Sequence, residues 1–376
     1  MNGKDYTAIT LDTSIFDGNG LRLEKGLLGR LKQFNGSPTK FVLTDIVVNE
    51  IKKHLHDKII NSRAALQKAL DEASEHLFFD GSLLTESKQK LSDGPEINEL
   101  ALSRLNAFLD ATGALVLDSA EYVEVAELRD NYFNNKPPFA TSGKKKNEFP
   151  DAISLLALEH WAEENDELIF AVAKDGDWRG FCDESDLIDY NENLADALDY
   201  FNTKDTPVIM LAKLEAALEF IDASNLGLQL RNELESFFNG YYVDQDADSA
   251  FSWEPEGVDV TFADFSMADN NLKLIEKTDL SIVVEALITV ELNADGDFSL
   301  YQYDSIDRDQ VHLASISKNV TEEFECRVLI TFSGDFDEAR EDIDYIFIEN
   351  VEVIDKLSSI HFGYLDLDYE DYEDYE

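Results

Sequence analysis

Basic residues are scarce in this chain. Only 31 Lys and Arg stand against 79 Asp and Glu, a formal net charge of -48. A surface of that sign repels nucleic acid as a whole, so a nucleic-acid partner would have to be met locally, by a few basic groups or by metal ions. Cysteine is nearly absent. Cys182 and Cys326 are the two present, far apart in sequence. That excludes a disulfide framework or a cysteine zinc site and fits a reducing, cytoplasmic setting. No apolar run is long enough to span a membrane. The opening MNGKDYTAITLDTSIF has no basic flank, no long apolar core and no small-residue cleavage site, so a signal peptide is not expected. What the chain does have is apolar material. Hydrophobic residues make up 44% of 376, with 24 Phe and 14 Tyr. This is enough for two domains with their own cores and too much for a disordered acidic chain.

The pattern divides the chain. From about residue 6 to 205, short apolar runs alternate with helical segments. YTAITLD (6–12) reads as a strand opening into a loop, and KFVLT as a second strand, with Thr44 placed to cap the helix that follows. INSRAALQKALDEASEHL and INELALSRLNAFLDAT read as two further helices, GALVLD (113–118) as a short strand, and FPDAISLLALEHWAEEN as a helix with Pro150 in its first turn. ELIFAVAKD is another strand and DLIDY a candidate fifth. Such alternation predicts an α/β fold, a parallel sheet flanked by helices. Residues 206–240 read as a helical connector. From 241 to 363 the runs alternate in a period of two, predicting an antiparallel β-rich domain, with NADGD (293–297) as a hairpin turn. Residues 364–376 form an acidic, tyrosine-rich tail that reads as disordered.

Carboxylates recur where a parallel sheet places its sites, in the crevice beyond the carboxyl ends of the strands. Asp12 ends the first strand. Glu50 lies on the helix after the second. Asp151 sits in the first turn of its helix, on the same stripe as Leu155, Leu158 and Ala162, and so points toward the sheet. Asp175 and Asp177 follow the strand LIFAV in VAKDGDW. Each residue alone reads as a turn or cap. Together they form an oxygen-only cluster that a hard cation, Mg2+ or Mn2+, would hold together.

The order LDTSIF, VVNEI, FPDAISLLAL, VAKDGDW resembles the acidic signature of the PIN-domain nucleases, over roughly residues 6–205. The resemblance implies a metal-dependent nuclease. Asp12, Glu50, Asp151 and Asp175 would be its core acids, Asp177 an additional or alternative metal ligand, and Ser14 a polar support for the first loop. It also implies phosphodiester hydrolysis by activated water, with RNA preferred because most of that family cuts RNA. Single-stranded or flap DNA is the alternative substrate, and a catalytically inactive acidic interaction module the alternative function. Toxin action, stress response and phage defence are all compatible with such a nuclease. The segment between about 60 and 112 is longer than the family plan needs.

Lys144, Lys145 and Lys146 form the densest basic run and precede Asp151. They are the candidate phosphate grip, with Arg179 a weaker one. Trp178 reads as a packing residue. Ser14 lacks the context of a hydrolase nucleophile. A haloacid-dehalogenase-type phosphatase would need a second Asp where Ser14 stands. The β-rich region is a candidate surface for a protein partner, and the tail could fold back on the lysine run as a mimic of a nucleic-acid strand.

Overall fold

The computed structural model describes residues 4–76, 86, 96–139, 148–174, 176–203, 208–219, 225–268, 272–278, 280–304, 308–336, 339 and 343–367. Lys144, Lys145, Lys146, Asp175 and tail residues 368–376 lie outside them. The chain divides into two compact units, 1–198 and 199–376. No described helix is long and apolar enough to cross a membrane.

The first unit is built on five parallel strands: β1 (Ala8–Leu11), β2 (Lys40–Thr44), β3 (Leu115–Leu117), β4 (Ile169–Val172) and β5 (Ile188–Asn191). Their order is β3-β2-β1-β4-β5. Every residue of β1 and β4 is buried, as strands covered on both faces must be. The chain moves outward from β1 through β2 to β3, then returns to the other side of β1 as β4. The strand order therefore reverses between β1 and β4, the point beyond whose carboxyl ends open α/β sheets place their ligands.

Two local readings of the sequence are corrected in this unit. β1 does not open into a loop. Asp12 is the N-cap of a short helix, α1 (Thr13–Gly18), because its carboxylate accepts the backbone N–H of Ser14. The two segments read as separate helices after β2 form one helix of 32 residues, α2 (Asp45–His76). No Gly or Pro interrupts that stretch, so nothing stops the helix. Thr44 does cap it, its Oγ1 accepting from Val47 N at 3.3 Å.

The second unit centres on two very long strands, β9 (Ser281–Asp304) and β10 (Asp309–Gly334), paired antiparallel. β7 (Ser252–Met267) and β8 (Lys273–Lys277) pair with the other edge of β9, and β11 (Ile346–Val353) pairs with β10. β6 (Asp244–Ser249) and β12 (Ser359–Leu365) form a small parallel pair. The segment read as a connector contains a helix, Asn225–Phe238, that buries Leu226, Leu230, Leu234 and Phe238, a stripe four residues apart, in the core of this unit.

The NADGD hairpin is overturned. Asp295, Gly296 and Asp297 run straight through β9, facing Asn319, Lys318 and Ser317 on one side and Asp259, Val258 and Gly257 on the other. β9 continues to Asp304, which pairs with Asp309 of β10. Gly296 serves close packing instead. A Cβ there would lie 2.6 Å from Cε1 of Phe362 and 2.9 Å from Nε2 of Gln245. Gly296→Ala should therefore destabilise this unit by about 1–3 kcal/mol, despite alanine's lower entropy cost. Urea denaturation checks this, and a variant as stable as wild type would show that Phe362 can move aside.

Candidate metal-site carboxylates

The site is assembled where the chain leaves β1 and β4. Asp12 N donates to Val172 O at 2.9 Å, which ties the end of one strand to the end of the other. One oxygen of Asp12, Oδ2, accepts from both Ser14 N (3.0 Å) and Ser14 Oγ. Ser14 Oγ in turn accepts from Lys174 N at 3.0 Å. Ser14 thus bridges the carboxylate to the backbone just past β4. Thr13 donates its hydroxyl to Glu50 Oε2 at 2.7 Å, which draws the α2 carboxylate toward the same loop. Neighbouring residues of one short turn therefore orient two acids.

Asp151 enters from the first turn of a third helix, α3 (Phe149–Asn165). Leu155, Leu158 and Ala162 on its stripe are all buried, which points Asp151 inward. Trp178, with no exposed surface, donates its indole N–H to Asp151 Oδ1 at 3.0 Å. A second buried bond, between Thr44 and Ser154 hydroxyls at 3.0 Å, fixes α3 against the end of β2. Asp177, 6% exposed, lies beside Trp178 in the first turn of a short helix, Gly176–Cys182.

The electrostatics show strain between like charges. Asp151 has its carboxyl pushed up to about 7, first by burial and then by the charge of Asp12. Glu148 adds to the rise, and the Trp178 hydrogen bond opposes it. Burial also raises Asp12, with Glu50 adding repulsion against the lowering bonds from Ser14 and Thr13. Asp12 therefore interacts with both Glu50 and Asp151, and the structure brings these three acids from three elements into one electrostatic cluster. The donors are all hard oxygens, which suits Mg2+ or Mn2+. Among the described residues no three His, Cys, Asp or Glu side chains close around a single point. Mg2+ commonly takes only one or two carboxylates and keeps several waters, so this carboxylate set fits it.

The candidate phosphate contacts divide. Arg179 is described. It pairs with Glu192, lies over the Tyr190 ring at 5.0 Å, and lines a pocket of about 390 Å³ with Asp189 and Asn191. The lysine run is outside the described residues. Three participants escaped the sequence reading: Thr13 as the hydroxyl that holds Glu50, Glu148 as a fourth acid beside Asp151, and Trp178 as a hydrogen-bond donor. For Thr13 the signal was its place beside Asp12 in LDTS. For Glu148 it was the acid three residues before Asp151. For Trp178 no local signal existed, because its partner is 27 residues away.

A protein-family model for the PIN domain matches residues 9–178. The match begins inside β1 and ends at Trp178, so it spans Asp12, Glu50, Asp151 and Asp177. No curated protein and no solved structure matches the chain.

Proposed function

Because residues 9–178 form a PIN domain, and PIN domains are typically nucleases, we propose that this chain is a metal-dependent endoribonuclease. The observation that supports the reading best is the grouping of Asp12, Glu50 and Asp151 near the sheet's reversal point, with Asp151 raised by burial and by the Asp12 charge, and Asp12 raised by burial and by the Glu50 charge. Carboxylates held this way gain most when a divalent cation joins them. Asp12 and Asp151 would hold Mg2+ or Mn2+, with Glu50, Asp175 and Asp177 as the remaining candidate ligands. When bound, the cation supplies positive charge for the phosphate and a lower pKa for the attacking water. Glu50, whose Oε2 accepts the Thr13 hydroxyl, would accept a proton from that water. Trp178 keeps the Asp151 oxygen in place. Lys144, Lys145 and Lys146 are proposed to contact phosphates upstream of Asp151, with Arg179 contributing only if it leaves Glu192.

Incubation of the full-length protein with RNA, single-stranded DNA, flap DNA and duplex DNA, in Mg2+, Mn2+ or chelator, tests the reading. Cleavage of RNA that chelator abolishes is expected. Cleavage confined to DNA moves the substrate to single-stranded or flap DNA. Intact substrates throughout overturn the nuclease reading.

Metal binding has its own readout. At a Mg2+ or Mn2+ concentration about a hundredfold over its dissociation constant, the folded state should gain roughly 2.7 kcal/mol. The melting temperature of wild type should rise accordingly. The Asp12→Asn/Asp151→Asn double variant should show little of that rise. Equal rises in both would assign the effect to screening of the acidic surface.

A further inference from the structure

With only 31 basic residues in the chain, the place of each one near the acids matters. Lys174 directly follows the last residues of β4. Its backbone N donates to Ser14 Oγ at 3.0 Å, and that same hydroxyl donates to Asp12 Oδ2. The Lys174 side chain then lies along α1. A Cβ built on Gly18 would be 3.0 Å from Lys174 Nζ, 3.4 Å from Cε and 3.8 Å from Cδ. Ser14 and Gly18 are four residues apart in α1, so they share one face of the helix and lie about 6 Å apart along its axis. The Lys174 ammonium is therefore held about one helical turn from the hydroxyl that steadies Asp12.

Two observations bear on what the ammonium meets. Gly18 does not have a positive φ, so its backbone does not require glycine. A side chain there would instead take the space of the ammonium. The acid next to that space in sequence, Asp17, is engaged elsewhere: its two carboxylate oxygens lie 3.1 and 2.9 Å from His54 Nδ1. Lys174 is exposed, and among the described residues no hydrogen bond or ion pair engages its ammonium. In a chain with 79 acidic residues, an ammonium held without a carboxylate is left for an anion from outside.

We propose that Lys174 binds the substrate phosphate next to the one held at the acids, and that residue 18 is glycine to keep the ammonium there. This rests on the nuclease reading and deepens it, since it assigns a second phosphate of the strand to the same site. One turn of helix is on the scale of a single nucleotide step. A strand whose scissile phosphate meets the acids therefore brings its neighbour to the ammonium. A point charge on a flexible stem suits a phosphate oxygen of either RNA or DNA and carries no sequence information.

The test measures binding apart from cleavage. Full-length protein carrying Asp151→Asn, with and without Lys174→Met, is titrated with a labelled single-stranded RNA oligonucleotide over a series of salt concentrations. Losing one phosphate contact should reduce the slope of log affinity against log salt by roughly 0.7, which is a loss of about fivefold to tenfold near 0.05 M salt. Lys174→Arg should recover most of the slope. Gly18→Val keeps every charge but displaces the ammonium, and should weaken binding in the same direction. The control is Lys68→Met, an exposed lysine paired with Glu72 about 27 Å along α2 from Glu50. An unchanged slope in Lys174→Met, or an equal change in Lys68→Met, would overturn the proposal. Wild-type binding by Gly18→Val would overturn the role given to Gly18. With the acids intact, Mn2+ affinity should be the same in Lys174→Met as in wild type, and a change as large as the loss of RNA binding would assign Lys174 to the acids instead. The expected slope change without any cleavage by the protein with intact Asp151 would sink the nuclease reading alone. Cleavage with an unchanged slope would sink the Lys174 contact alone.

Discussion

Asp12→Asn or Asp151→Asn should lower cleavage by several kcal/mol of barrier, roughly a thousandfold or more, and leave the metal-free protein at least as stable as wild type at neutral pH. The stability half of the expectation comes from the carboxyls themselves. Asp151 titrates at 3.8 in its ordinary state and at about 7 in the fold, chiefly because it is buried and secondly because Asp12 is near. The folded state therefore holds a proton that the unfolded chain has released. Stability from this group is fully present below pH 3.8, falls as pH climbs, and is lost once pH has passed about 7. Asn carries no proton to lose. The melting temperature of Asp151→Asn in chelator should therefore decline less than that of wild type between about pH 4 and 7. Asp12→Asn keeps an oxygen that can cap α1, so its fold should survive. Wild-type cleavage in either variant would remove that residue from the site.

Trp178→Ala should cost about 3–5 kcal/mol of stability and most of the activity, because the side chain is completely buried and its removal leaves a cavity. Trp178→Phe separates packing from chemistry. It keeps most of the volume and removes the indole N–H that Asp151 Oδ1 accepts. Since that bond lowers the Asp151 carboxyl, its loss should raise the carboxyl further. Cation binding requires the ionised form, so the pH at which Mn2+ affinity rises should move upward in Trp178→Phe. Calorimetric titration with Mn2+ across pH measures this. An unmoved profile would mean that Trp178 only fills space.

The order of these elements was written locally and could be read locally. IFAV and AITL are continuous apolar runs because both faces of their strands are covered, and Asp151 lies on a stripe of residues that all prove buried. Thr44 caps a helix from its place in the sequence alone. The misreadings share a different cause. Asp-Gly-Asp in β9 has the composition of a turn, and Phe362, 66 positions away, together with Gln245 explains why a glycine is needed there. The bond from Trp178 to Asp151 and the stacking of Tyr132 on Phe149 likewise join segments that the fold brings together. The acids were legible because chemistry restricts their identity. The residues that hold them were less so, since many side chains could serve.

The ribbon of β9 and β10 also divides the labour of folding unequally. Its first pair, Asp304 with Asp309, is five residues apart, and each further pair lies beside one already formed, out to Ser281 with Ser333. Such a structure can zip from its tip, and each step closes almost no loop. The parallel sheet has no such route. Ala8 must find Ile169 across 161 residues before β1 and β4 can join and the acids can meet. A nascent chain can pair β1 with β2 early, but the other edge of β1 stays open until β4 has been made. The unit with the candidate chemistry therefore waits on a pairing of long sequence separation, while the later-synthesised ribbon has a quick path to its own native pairing.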